Sequence, residues 1–99
     1  MITMIRSAAI APGKTGDAIT FAHTIAIHIQ DKYGVKLTIS MPIGGNPNRI
    51  SWMATYQSLA DWETLGAKLM TDADYAAAVA ANSATFIPGT VYDDLWRSI

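Results

Sequence analysis

Few side chains in this 99-residue sequence could do chemistry, and they gather in a handful of places. His23 and His28 are the only histidines, five positions apart in a segment whose apolar residues recur at helical intervals. Five residues at about 3.6 per turn separate them by roughly 140° around the axis, so they do not chelate one metal as an i, i+4 pair would. With no cysteine and a single glutamate, a transition-metal site built from protein ligands is not expected, and no cofactor is implied. His23 flanks the apolar stripe beside Ile19, where a histidine either packs or, facing a cleft, acts as a general base. His28 falls towards Thr24 and Asp31 and reads as solvated.

The aromatic residues offer more. Trp52 and Tyr56 share one parity of an alternating run, and Trp62 follows in the next, helical stretch. Three large rings with polar handles around one strand–helix corner could wall a ligand cleft or form an aromatic core. Arg6 is a charge inside an otherwise apolar run, and a buried guanidinium needs a partner. Asp93, Asp94 or a ligand carboxylate could serve, as could an ion pair across a dimer. Asp93 and Asp94 alternate across a strand, so they are not a paired acid/base set. Ala8 to Thr15 matches a relaxed phosphate-loop pattern in which alanine replaces the first glycine. That chemistry needs a Gly-rich turn between strand and helix, whereas residues 8–11 still read as strand, so a plain turn is the expectation.

The elements that must position these groups follow from periodicity. Residues 1–11 have apolar side chains on both parities, as in a strand covered on both faces. Pro12 and Gly13 break it, and Thr15 or Asp17 can cap a helix running to about Tyr33, ended by Gly34. Val35 to Pro42 and Arg49 to Gln57 alternate around a Gly/Pro/Asn turn, which predicts an antiparallel hairpin. Ser58 caps a second helix carrying Leu59, Trp62, Leu65 and Leu69, interrupted at Thr71 and Asp72 and resumed through Asp74 to about Ser83. Phe86 to Gly89 is a turn, and Thr90 to Ile99 is a closing strand. The order β-α-β-β-α-β predicts one α+β, ferredoxin-like domain over residues 1–99, with sheet order 4-1-3-2 and the helices on one face.

Seven basic against eight acidic residues give a formal charge of −1, with no basic excess for nucleic acid. No apolar run approaches the roughly 18 residues of a membrane span, and residues 1–6 do not resemble a secretory leader, so a cytoplasmic protein is expected. Charged residues are 15%, against about 25% in ordinary soluble domains. Sixteen alanines account for part of the apolar excess. The rest suggests a face hidden against a second copy. Ile5, Met53, Tyr92 and Trp96 are candidates for the sheet face that the helices leave open, although periodicity does not fix which parity points which way.

The element order, the run from Trp52 through Tyr56 to Trp62, and the helix break from Met70 to Tyr75 together resemble the dimeric α+β barrel superfamily. This group includes antibiotic-biosynthesis-monooxygenase-like and NIPSNAP-like proteins. The resemblance covers nearly the whole chain and marks a fold. It implies a homodimer whose two sheets face each other as a barrel, with a cleft in each subunit for a small apolar, commonly aromatic ligand. Members include cofactor-free oxygenases, isomerases, dehydratases, haem degraders and proteins of no known activity. The Asn, Trp and His set of the haem degraders has no clear match, so haem oxidation is not implied. Two functions follow as expectations. One is an enzyme acting on a small aromatic or polyketide-like compound, with His23 as base, Arg6 as anion partner and Trp52, Tyr56 and Trp62 as the packing surface. The other is a non-catalytic ligand-binding or structural homodimer.

Overall fold

Strand alternation and helical periodicity resolve into seven elements in the computed structural model, which describes residues 1–99. In chain order they are β1 (Ile2–Ala9), α1 (Thr15–Tyr33), β2 (Thr38–Ser40), β3 (Arg49–Tyr56), α2 (Leu59–Met70), α3 (Ala73–Ala81) and β4 (Tyr92–Arg97). The strands form one antiparallel sheet in the order β2-β3-β1-β4, which is the expected 4-1-3-2 read from the other edge. The fold is α+β and ferredoxin-like.

Strand register decides which side chains meet the helices. Ile2, Met4, Arg6 and Ala8 of β1 stand opposite Tyr56, Ala54, Trp52 and Ile50 of β3. Across the other ladder, Arg6 and Met4 face Asp93 and Leu95 of β4. Apart from Arg6, the β1 and β3 members of this set are buried. Beneath Ile50 and Trp52, α1 presents Ala18 and Ala22, both fully buried, and the missing side-chain bulk lets helix and sheet approach closely. Ile25 and Ile29 of α1 and Leu65 of α2 join Ile2, Met4, Ala54 and Tyr56 in the second half of the core. The opposite sheet face carries Ile5, Met53, Tyr92 and Trp96 on neighbouring strands. Tyr92 and Trp96 are each 63% exposed there, so the structure settles a parity that the sequence left open.

Element ends are set by local hydrogen bonds. Gly34 closes α1 in the left-handed conformation at φ 72°, its N–H donating to the Gln30 carbonyl at 2.9 Å. At the other end, neither Thr15 nor Asp17 caps the helix as expected. Lys14 holds the cap position by backbone alone, while Asp17 lies in the first turn, 3.8 Å from the Lys14 ammonium. There its charge favours the free N–H groups without bonding them. Ser58 caps α2 as anticipated, its Oγ accepting the Asp61 N–H at 3.3 Å. The second strand is shorter than expected, three residues instead of eight, although Val35 and Leu37 still pack inward against the core.

The break between α2 and α3 is built on Asp72. One carboxylate oxygen accepts the Tyr75 N–H at 3.0 Å and so caps α3. The other accepts the Tyr33 hydroxyl at 2.6 Å and the His28 Nε2 at 2.8 Å, with the Lys32 ammonium at 3.4 Å. These bonds, led by that from Tyr33, hold the Asp72 carboxyl well below its ordinary range. His28 is therefore not the solvated residue its helical position suggested; it is tied to a buried carboxylate 44 positions along the chain.

The segment between α3 and β4 straps across the end of β1. The Ala11 N–H donates to the Thr85 carbonyl at 2.9 Å, the Ile87 N–H to the Ala9 carbonyl at 3.0 Å, and the Ala9 N–H to Thr90 Oγ1 at 3.1 Å. Ala8 and Ala9 are also paired within the ladder, so the phosphate-loop match at Ala8 to Thr15 is a strand end and turn. No helix is long and apolar enough to cross a membrane.

Candidate functional site

On the helix-covered side, β1 and β3 do not meet α2, α3 and the 82–91 strap everywhere, and the gap is a cleft of about 540 Å³. This falls within the usual range for small-molecule sites, about 300–1,000 Å³. Of its 22 lining residues, 16 are hydrophobic, so the wall repels water and favours an apolar occupant.

Four of the five residues singled out from the sequence line this cleft: Arg6, Trp52, Tyr56 and Trp62. Alternation carries Trp52 and Tyr56 onto the helix side of β3, and the Ser58 cap starts α2 so that Trp62 turns back towards them. Trp52 is buried, and its indole N–H donates to the Ala22 carbonyl of α1 at 3.3 Å, which fixes the ring plane. Phe21 meets it edge-on at 6.1 Å between centroids, and Phe86 from the strap lies at 6.1 Å from Trp52 and 5.5 Å from Phe21. Edge-to-face packing of this kind makes a stiff wall. Burial pushes the Tyr56 hydroxyl up from its ordinary value, so at neutral pH it is a neutral donor.

Arg6 supplies the only formal charge on the wall. Its guanidinium grips Asp93 side-on, Nε to Oδ1 at 2.7 Å and Nη2 to Oδ2 at 2.8 Å, across directly paired positions of β1 and β4. The partner is thus Asp93, within the same subunit, whereas Asp94 alternates to the other face. The paired hydrogen bonds raise Arg6 further above its ordinary value and lower Asp93 below its own, so both stay ionised.

His23 is placed elsewhere. It is exposed on the outer side of α1 and absent from the cleft wall. The expected spot beside Trp52 and Tyr56 is taken instead by Phe21 and Ile25, whose positions on α1 face the sheet. The ionisable side chains that do line the cleft are Arg6, Tyr56 and Tyr75, and no carboxylate or imidazole is among them. Phe21, Phe86 and Tyr75 were not anticipated as wall residues. Phe21 had a visible signal in the α1 stripe, whereas Phe86 lies in a turn with no periodicity to place it.

The architecture is that of ferredoxin-like proteins of the NIPSNAP and antibiotic-biosynthesis-monooxygenase type. An uncharacterized NIPSNAP domain protein from Burkholderia xenovorans superposes with a TM-score of 0.84 at 14% identity, covering 100% of this chain and 95% of that one. A NIPSNAP family protein from Agrobacterium tumefaciens gives 0.82 at 20% identity, over 99% of this chain and 92% of the other. A protein of Nitrosomonas europaea named for the antibiotic biosynthesis monooxygenases gives 0.75 at 13%, over 100% and 99%. No family model and no curated protein matches the sequence. At these identities the likeness establishes the fold.

Proposed function

We propose that this is a small-molecule-binding protein of the dimeric α+β barrel type, working in the cytoplasm as a homodimer joined through its open sheet face. The observation that carries the binding half is the cleft of about 540 Å³, mostly apolar, walled by Trp52, Tyr56 and Trp62 and bearing the single charge of Arg6. The assembly half is supported by Tyr92 and Trp96, each 63% exposed on a sheet face that also carries Ile5 and Met53. A cofactor-free oxygenase or isomerase acting on a small aromatic or polyketide-like compound is the second reading. Its support is the fold likeness to proteins named as monooxygenases. That chemistry would draw on a substrate acidic enough to ionise itself, because no carboxylate or imidazole lies on the wall, and His23 stands outside it.

Native mass spectrometry of the purified protein tests both halves together. A dimer mass that carries a small organic molecule is the expected result. A lone subunit at micromolar concentration would remove the assembly, and a protein that takes up no apolar aromatic probe would remove the cleft.

A further inference from the structure

The polar part of the cleft is narrow in kind, and it restricts what the site can recognise. Arg6 has five N–H donors, of which the side-on grip on Asp93 uses two, one on Nε and one on Nη2. Three remain on a side chain that forms part of the cleft wall. Tyr75 of α3 belongs to the same wall. The Arg6–Asp93 pair is electrically neutral as a unit, which sets it apart from an unpaired arginine waiting for an anion.

We infer that the cleft selects flat apolar molecules bearing a neutral carbonyl oxygen, held by the spare N–H groups of Arg6, and disfavours carboxylates. The inference rests on the binding reading above and names the ligand class of that same site. A hydrocarbon fills the apolar wall but covers the spare donors without pairing them, which costs the hydrogen bonds they made to water. A carboxylate pairs them but brings a second negative charge beside Asp93 and must also shed its own hydration. A ketone, quinone or amide oxygen accepts the hydrogen bond with neither penalty, and the hydroxyls of Tyr56 and Tyr75 lie on the same wall. Discrimination thus comes from a charge that is already compensated.

Three probes of nearly one shape separate these outcomes: 2-acetylnaphthalene, 2-ethylnaphthalene and 2-naphthoate, titrated into the 15N-labelled protein and followed by amide shifts. The ketone should bind about tenfold more tightly than the hydrocarbon, the scale of one hydrogen bond to a charged group. The carboxylate should bind more weakly than the ketone. Replacing both partners, Arg6→Met with Asp93→Leu, leaves no orphaned charge and should make ketone and hydrocarbon bind alike. Equal affinities of ketone and hydrocarbon in the unmodified protein would overturn the inference while leaving the cleft intact. So would a carboxylate that binds best. If none of the three shifts residues of the wall, the cleft reading itself fails and this inference falls with it.

Discussion

His28 and Asp72 lie 44 positions apart in sequence, yet the imidazole Nε2 and a carboxylate oxygen meet at 2.8 Å. The bond fastens α1 to the corner between α2 and α3. Because Asp72 also caps α3, the same carboxylate sets the start of the helix that carries Tyr75 to the cleft. A side chain with no solvent exposure holds four partners there, and the cleft's outer wall depends on it.

That arrangement predicts a specific acid sensitivity. The Asp72 carboxyl is lowered from an ordinary value of 3.8, chiefly by the Tyr33 hydroxyl. A depressed folded value contributes stability that is present above the unfolded value and drains away as pH falls through the folded one. Asp72→Asn keeps the shape and the capping oxygen but removes the charge. At pH 7 its melting temperature should be lower than that of the parent, by about 5 °C for a domain of this size. Below about pH 4 the difference should shrink steadily, because the carboxyl of the unfolded chain takes up a proton there while the folded one still resists it. Asp93 titrates in the same direction beside Arg6, so the comparison between variant and parent isolates Asp72. A gap in melting temperature that stays constant from pH 7 to pH 2 would contradict the assignment.

Trp52 should be more forgiving than its burial suggests when the replacement is another ring. Trp52→Phe retains contact with Phe21 and Phe86 but loses the indole N–H donated to the Ala22 carbonyl. The expected cost in urea unfolding is about 1–2 kcal/mol, from one buried hydrogen bond and some lost volume. Trp52→Ala should cost about 3–5 kcal/mol. Equal losses for the two would mean that the hydrogen bond, not the ring, carries the packing.

Gly66 offers a way to fill the cleft from a wall position that carries no side chain. It lies within α2 on the cleft side, and a Cβ built there meets nothing within 4 Å. Gly66→Ala should stabilise the protein by about 0.5–1 kcal/mol by restricting the unfolded chain. Gly66→Phe should remain folded by circular dichroism, since its ring has open space to enter, but should lose uptake of aromatic probes. Undiminished uptake by the phenylalanine variant would place the binding site elsewhere.

Legibility in the sequence tracked the distance over which each feature is determined. Gly34 and Ser58 announce helix ends because capping is decided within four residues, and both behave as expected. Trp52 and Tyr56 could be assigned to one face because a strand has period two, and a register error would have exposed Ile50 as well. Ile5, Met53, Tyr92 and Trp96 share a face for the same reason. His28 could not be read, since its partner comes from a different helix and nothing near it in sequence signals a buried carboxylate. Phe86 joins the wall only because the strap is hydrogen-bonded to the end of β1. His23 was misplaced by one helical step. The buried stripe of α1 is narrow, Ala18, Ala22, Ile25 and Ile29, and His23 at its margin is exposed.

The open sheet face permits a test that does not involve the cleft. Met53 stands directly opposite Ile5, with Tyr92 and Trp96 on β4 beyond β1, and it is 37% exposed. In an assembled pair it would be covered, and a carboxylate placed there would be buried without a partner in both copies. On a lone subunit the same carboxylate would sit in water at little cost, since an exposed substitution away from caps and cores changes stability by roughly 0.5 kcal/mol or less. Met53→Asp should therefore convert a sedimenting dimer into a folded monomer with unchanged far-ultraviolet circular dichroism. Thr55→Asp, on the same face but opposite Thr3 near the sheet's end, should weaken association less. Because β1 and β3 form the middle of the sheet, the graded response reads out where the two copies touch. If Met53→Asp leaves the sedimentation coefficient at the dimer value, the copies meet through some other surface and the barrel arrangement is wrong.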